Sequence, residues 1–231
     1  MESTIPNYIW FYWTGSDIPH NLALNVNKFK EINPNFRVNI ITNDDEILKL
    51  ASHDFPNIVT LFNKISIPTC KSDIMRLLLL YYYGGIYVDC NTVPYKSFDV
   101  FYENHKCFNF IISFKYATND FTTRILFSKP KIPLLVDVLN VIQKNLCELY
   151  NKEKLLDLHS TEIIPYNILV LTGTFPFYEI LGRNNEKNMS NIAYFDNNSD
   201  IVGHYKCKLA HHINFDLHWS NLQKKQRLFL N

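Results

Sequence analysis

The stretch Cys70-Lys71-Ser72-Asp73-Ile74-Met75-Arg76-Leu77-Leu78-Leu79-Leu80-Tyr81-Tyr82-Tyr83-Gly84-Gly85-Ile86-Tyr87-Val88-Asp89-Cys90-Asn91-Thr92 decides the fold. Lys71 to Tyr83 holds good helix formers without Gly or Pro, and from Ile74 onward every face is apolar or aromatic except at Arg76. A helix of that kind is buried. Gly84-Gly85 supplies the positive φ that ends a helix, and Ile86-Tyr87-Val88 is a short strand-forming run. The spacing predicts helix, sharp reversal, strand.

That hairpin gathers the polar residues. A helix of about 13 residues rises roughly 20 Å, and Ile86 to Asp89 return roughly 13 Å in the opposite sense. Asp89 and Asn91 then lie towards the helix end that carries Asp73 and Arg76. A rim of two carboxylates, a guanidinium and an amide suits a polyanion bridged by a cation. Arg76 can fork onto phosphate or sugar oxygens, and oxygen donors at Asp89 and Asn91 suit Mg²⁺ or Mn²⁺. The same residues also admit a plain structural reading: Asp73 as an N-terminal cap with Arg76 its i,i+3 partner, and Asp89 and Asn91 as turn residues.

At Ser72-Asp73, Arg76, Gly84-Gly85, Tyr87, Asp89 and Asn91 the chain resembles the DXD-containing sugar transferases of glycosyltransferase family 32, which are similar to the glucosyltransferase domains of large clostridial toxins. The family pattern reads S-D-x-x-R, an apolar helix, then G-G-x-Y-x-D-x-D. Only the last position departs, with Asn91 for the second aspartate. The resemblance implies a GT-A fold and sugar transfer from a nucleotide sugar with retention of anomeric configuration. It implies that Asp73 and Arg76 hold the donor sugar, that Tyr87 and Asp89 face ribose and sugar, and that Asn91 stands where a metal ligand belongs. An amide carbonyl coordinates without adding charge, so metal binding in the free protein is expected to be weak, with Mn²⁺ or Mg²⁺ arriving largely on the diphosphate.

At 231 residues, 47% hydrophobic and 15% aromatic, the chain has ample material for a core and is not disordered. A formal charge of +1 does not suggest a nucleic-acid partner. Cys70, Cys90, Cys107, Cys147 and Cys207 are odd in number and form no C-x-x-C pair, which argues for a reducing compartment. No signal peptide or run of about 18 apolar residues stands out. Many eukaryotic members of the resembled family carry an N-terminal anchor, which is not seen here. Abundant Asn, Lys, Ile, Tyr and Phe match an AT-rich genome, a low-GC bacterium or a large DNA virus. The expected location is the cytoplasm, of the host if the source is viral.

Upstream, Ile5 to Gly15 reads as the first strand and resembles the family opening I-P-K-x-I-H-x-x-W-x-G, with Trp10 where the family has His. In that register Trp13 stacks on the nucleotide base, a contact worth roughly 1–3 kcal/mol in comparable cases. The alternative places both tryptophans in the core. Asn21 to Ile32 reads as a helix, Phe36 to Ile41 as a strand, and Thr42 to Asp45 as a loop opening the helix Glu46 to Ala51, with Asp44 and Asp45 as capping residues. Downstream, Phe108 to Phe114 reads as a strand, Lys115 to Thr123 as a loop, and Ile132 to Tyr150 as a helix. Lys152 to Asp157 reads as a solvated face, Tyr166 to Leu171 as a strand or buried helix start, and Gly182 to Asp200 as a mobile surface loop. Thr172-Gly173-Thr174 resembles a family T-G-P turn on the acceptor side. Leu209 to Ser220 resembles the closing H-H-x-x-x-S-W, which puts His211 or His212 in place to complete the metal shell, with His218 close by. Lys224, Lys225 and Arg227 read as a solvated basic tail.

The expected architecture is therefore α/β: a single GT-A domain over residues 1–231, with a central mixed, mostly parallel sheet flanked by helices. Residues 1–95 form the nucleotide-sugar half and residues 96–231 the acceptor-side half with a C-terminal tail that contacts metal and diphosphate. The expected function is a retaining glycosyltransferase that uses a UDP- or GDP-sugar and a glycan or other hydroxyl acceptor. Asp73, Arg76 and Asp89 are the catalytic candidates. Donor contacts fall to Trp13, Asp73, Arg76, Tyr87 and Asp89, and metal ligation to Asp89, Asn91, His211 and His212. The rivals are a non-catalytic nucleotide-sugar or sugar-binding module, which Asn91 favours, a slow donor hydrolase, and an inverting transferase.

Overall fold

The computed structural model describes residues 4–15, 17–115, 118, 120–157, 160–183, 191–196, 199–204, 207, 209 and 214–229. In chain order they form β1 (Tyr8–Tyr12), α1 (His20–Ile32), β2 (Arg37–Ile41), α2 (Asp45–Asp54), α3 (Pro56–Phe62), α4 (Pro68–Tyr83), β3 (Gly85–Val88) and β4 (Val93–Pro94). Then come α5 (Asp99–His105), β5 (Phe110–Lys115), β6 (Asp120–Ser128), α6 (Pro133–Glu153), α7 (Ile168–Leu171), α8 (Phe175–Arg183), β7 (Ile192–Asp196) and β8 (Val202–Gly203). A 3₁₀ turn, Phe215–Leu217, precedes a closing helix, Trp219–Lys225.

Six strands join in the order β2-β1-β3-β6-β5-β7. β1 runs parallel to β2 and β3, and β5 parallel to β7, whereas β6 is antiparallel to both its neighbours. Five of these strands therefore point one way and β6 runs against them, the mixed and mostly parallel sheet that the sequence pattern predicts. Period-2 alternation sorts the core into two layers. Trp10, Tyr12, Tyr87, Ile112 and Leu126 face the layer of α2, α3, α4 and α6, and Ile9, Phe11, Ile86, Val88, Ile111, Ile125 and Phe127 face the layer of α1.

α4 starts at Pro68, three residues before the predicted Lys71, because proline suits the first helical position, where its missing N–H is no loss. Its middle is buried on every face, from Asp73 to Leu80. The reversal needs both glycines. Gly84 has φ +65° and a Cβ there would meet Ser128 O and Pro130 Cδ at 2.8 Å, while Gly85 has φ +98° and a Cβ there would meet Tyr8 O at 2.8 Å. Trp10 packs against the same turn, its Nε1 donating to Gly84 O at 2.8 Å.

Several local expectations are corrected. Most of Lys115 to Thr123 is not a loop: β6 begins at Asp120, pinned between β3 and β5. Ile192–Asp196 within the expected surface loop is a strand, because β5 offers it a parallel edge. Tyr166 to Leu171 resolves into the short helix α7. Asp44 precedes α2 without capping it; Asn43 Oδ1 instead accepts from Asp45 N at 2.9 Å. Lys152 to Asp157 is not merely solvated, since Glu153 is buried and its two carboxylate oxygens accept from Leu228 N and Phe229 N, each at 3.0 Å. Nor is the basic tail simply solvated. Arg227 donates to Asp157 O and Ser160 O at 2.9 Å and to Glu162 O at 3.0 Å, and Lys225 pairs with Asp216. No helix among the described residues is long and apolar enough to cross a membrane.

Candidate active site

A parallel sheet presents its ligand sites at the carboxyl ends of its strands, where loops diverge. Here a cavity of about 400 Å³ opens at that edge. Tyr12, Trp13 and Thr14 leave β1, Asp89, Cys90 and Asn91 leave β3, Lys115 ends β5, and the reversed β6 brings its opening residues Asp120 to Arg124. The first turns of α4 close the floor, and Gly173, Thr174, His218 and Trp219 close the far wall.

Arg76 lies at the centre. Its Nη2 is 3.1 Å from Asp73 Oδ1 and 3.1 Å from Asp89 Oδ1, its Nη1 donates to Thr123 O at 2.9 Å, and its guanidinium stacks 4.9 Å from the centroid of the Tyr87 ring. The helix–turn–strand geometry read from the sequence thus brings Asp73, Arg76 and Asp89 together, and Tyr87, placed here by the family resemblance, joins them. Asp73 belongs to the second turn of α4 and caps nothing, although Arg76 is its i,i+3 partner as the structural alternative supposed. Asn91 stands on the same cavity wall, in a turn closed by Thr92 N donating to Asp89 O at 2.9 Å and tied to α1 by Asn25 Nδ2 donating to Thr92 O at 2.7 Å. Trp13 is half-buried at the rim, its Nε1 donating to Asp17 O at 3.1 Å, and Trp10 is core. His211 and His212 lie outside the described residues.

Burial dominates the electrostatics. Asp73 is pushed up to about 6 by burial, with Arg76 and the Thr172 hydroxyl pulling it down and Asp89 pushing it further up. Burial also works against the Arg76 charge, but Asp89 and Asp73 outweigh it and hold the guanidinium protonated. Burial, then the nearby Asp44 carboxylate, raise the Tyr12 phenol. The Tyr87 phenol is raised by burial as well, and its hydroxyl shares a 2.9 Å hydrogen bond with Ser72. The pKa of His218 is lowered by burial, and its Nδ1 accepts from Ser220 N at 3.3 Å.

Two groups contribute beyond the sequence reading: Thr172, read there only as part of an acceptor-side turn, and Arg124, which it did not single out. Thr172 donates its hydroxyl to Asp73 Oδ2 at 2.9 Å from 99 residues away, so the Thr172-Gly173-Thr174 turn braces the carboxylate expected to hold the donor sugar. Arg124 stands on β6 beside Asp89, whose N–H donates to Arg124 O at 2.8 Å. Burial lowers its pKa against the pull of Asp89. The sequence signal for Arg124 was a polar residue inside an apolar run.

Residues 19–108 match the family described as the glycosyltransferase sugar-binding region containing DXD motif. Over that segment the chain resembles the DXD-containing glycosyltransferases. The chain is 23% identical over 99 residues to inositol phosphoceramide mannosyltransferase 3 of Schizosaccharomyces pombe, covering 43% of this chain and 28% of the relative. It is 28% identical over 92 residues to the putative glycosyltransferase HOC1 of Saccharomyces cerevisiae, covering 38% of this chain and 23% of the relative. The chain thus spans about a quarter of the length of these curated relatives. Among solved structures, the UDP-bound glycosyltransferase domain from the YGT toxin superposes with a TM-score of 0.61 at 8% identity, over 91% of this chain and 82% of that one. The catalytic domain of alpha-toxin from Clostridium novyi gives a TM-score of 0.57 at 11% identity, over 97% and 82%. At such identity the likeness is one of fold, and the fold is that of GT-A glycosyltransferase domains.

A divalent ion fits the donors present only in part. Asp89 and Asn91 offer one carboxylate and one amide oxygen on the cavity wall, and no group of three or more His, Cys, Asp or Glu that could hold a metal occurs among the described residues. Such a set suits a hard cation that draws its remaining ligands from a substrate diphosphate.

Proposed function

We propose that this chain is a retaining glycosyltransferase that moves a sugar from a UDP- or GDP-sugar onto a hydroxyl acceptor. The observation that carries the proposal is Arg76 clamped between Asp73 and Asp89 in the floor of a cavity at the carboxyl edge of the sheet. Clamped on two sides, the guanidinium is preorganised and loses little on meeting a substrate. The cavity volume falls in the range of small-ligand sites.

In this reading Asp73, braced by Thr172, accepts hydrogen bonds from donor-sugar hydroxyls, and Arg76 orients the sugar and favours negative charge on the departing side. Trp13 stacks on the base. Tyr87 positions Arg76 through its ring. Asp89 and Asn91 would hold a Mg²⁺ or Mn²⁺ ion carried on the diphosphate, which supplies positive charge to the leaving group when bound. Retention follows if the acceptor oxygen bonds to the anomeric carbon on the face from which the diphosphate leaves, with the hydroxyl proton passing to a departing phosphate oxygen. Residues 1–95 serve the donor and residues 96–231 the acceptor within one domain, and cytoplasmic residence remains part of the proposal.

The test is a thermal-shift panel of UDP- and GDP-sugars, with and without Mn²⁺, on the native protein and Asp89→Ala, followed by NMR of the product anomer. A shift for one donor that needs Asp89, with retained configuration in the product, is the expected result. No shift with any donor overturns the proposal, and binding without turnover favours the non-catalytic module.

A further inference from the structure

The β5–β6 ladder contains an irregularity at the cavity. Its register runs Phe110↔Ser128, Ile111↔Phe127, Ile112↔Leu126 and then jumps to Ser113↔Thr122, so Thr123, Arg124 and Ile125 bulge out of the pairing with β5. Bulges cluster beside active sites, where they re-aim a side chain. The three carbonyls of this one are engaged. Arg76 Nη1 donates to Thr123 O at 2.9 Å, Asp89 N donates to Arg124 O at 2.8 Å, and Ser113 Oγ donates to Ile125 O at 2.9 Å. Arg124 thus sits at the middle of a rigidly held bulge, cross-strand from Asp89 and on the cavity wall.

We propose that Arg124 binds the donor diphosphate directly and that, with Asn91 in place of a second aspartate, it lowers the dependence of donor binding on a divalent ion. This rests on the nucleotide-sugar reading above and adds to it. The argument is one of charge. A second aspartate in place of Asn91 would leave this wall with four carboxylates, Asp73, Asp89 and Asp120 being the others, against the cations Arg76, Arg124 and Lys115. With Asn91 the formal charges balance at three of each sign, so a diphosphate enters a wall of no net formal charge, with Arg76 between Asp73 and Asp89 and Arg124 half-buried beside Asp89 on the cavity wall. Guanidinium is suited to that position because it forks onto phosphate oxygens and stays charged under partial burial.

The experiment is calorimetric titration of UDP and GDP, and NMR titration of uridine and guanosine, in Mg²⁺ and in EDTA. The proteins are native, Arg124→Gln, Arg124→Lys and Asn91→Asp, each checked by melting curve. In EDTA the native protein is expected to bind its preferred diphosphate within about tenfold of its affinity in Mg²⁺. Arg124→Gln should lose about tenfold or more for the diphosphate while leaving the nucleoside unchanged, Arg124→Lys should recover part of the loss, and Asn91→Asp should widen the gap between Mg²⁺ and EDTA. Arg124→Gln that leaves diphosphate affinity intact, or that weakens nucleoside and diphosphate alike, overturns this inference and spares the nucleotide-sugar reading. Absence of nucleotide binding under every condition overturns both.

Discussion

At the scale of single residues, the site is a contest between burial and pairing. Asp73 is raised from 3.8 to about 6, with burial as the leading cause. An acid whose folded pKa is raised contributes stability that is full below about pH 4 and is lost as pH rises through about 6. Ionised Asp73 is therefore strained at neutral pH, by up to about 3 kcal/mol on a shift of roughly two units. Asp73→Asn, which keeps an acceptor for Thr172, should melt at or above the native temperature at pH 7.5, with the gap narrowing towards pH 5; a gap that opens instead on acidification would sink the assignment. Donor affinity should fall below pH 6 in the native protein and lose that pH dependence in the variant, as titration at pH 5 and 7.5 would show. Arg76→Met is the opposite case. It leaves Asp73 and Asp89 facing each other without their shared cation, so a loss of about 3–5 kcal/mol is expected in chemical denaturation.

At the scale of elements, the fold turns on one reversal and one bulge. Gly85 has positive φ and no room for a Cβ against Tyr8 O. Gly85→Ala should cost about 2–4 kcal/mol, read as a melting temperature lowered by several degrees, and should disturb Asp89 through β3. The reversal was legible because glycines, an apolar helix and a β-branched strand are local signals. The bulge was not, since nothing in Phe121-Thr122-Thr123-Arg124-Ile125 distinguishes a regular strand from one whose register slips against a neighbour. Register is settled by which side chains the two adjoining strands bury and by where the orphaned carbonyls find donors. Ser113 supplies one of those donors, and Ser113→Ala, which removes only the hydroxyl, should cost about 1–3 kcal/mol by stranding Ile125 O.

For the whole molecule, the C-terminal segment is fastened across the back of the sheet's helical layer and so carries His218 and Trp219 to the cavity. Glu153 grips the N–H groups of Leu228 and Phe229, and Ser66 N donates to Leu228 O at 2.8 Å. Glu153→Ala strands two buried donors, for which denaturant titration should show a loss of about 2–5 kcal/mol, together with weaker donor binding from a far wall set loose. No periodicity announces such a clamp: Glu153 reads as one more charge at the end of a helix. By itself the sequence determined the apolar helix, the glycine reversal, the sheet-forming runs and the convergence of Asp73, Arg76 and Asp89, because each of these follows from propensity and spacing within about 20 residues. Only the tertiary structure decided that β6 runs against the sheet and bulges at Arg124, that Thr172 reaches Asp73, and that Glu153 holds the chain end. Those outcomes depend on pairing between distant segments, and they are selected by the free energy of burying both faces of one sheet while satisfying every backbone group that burial removes from water.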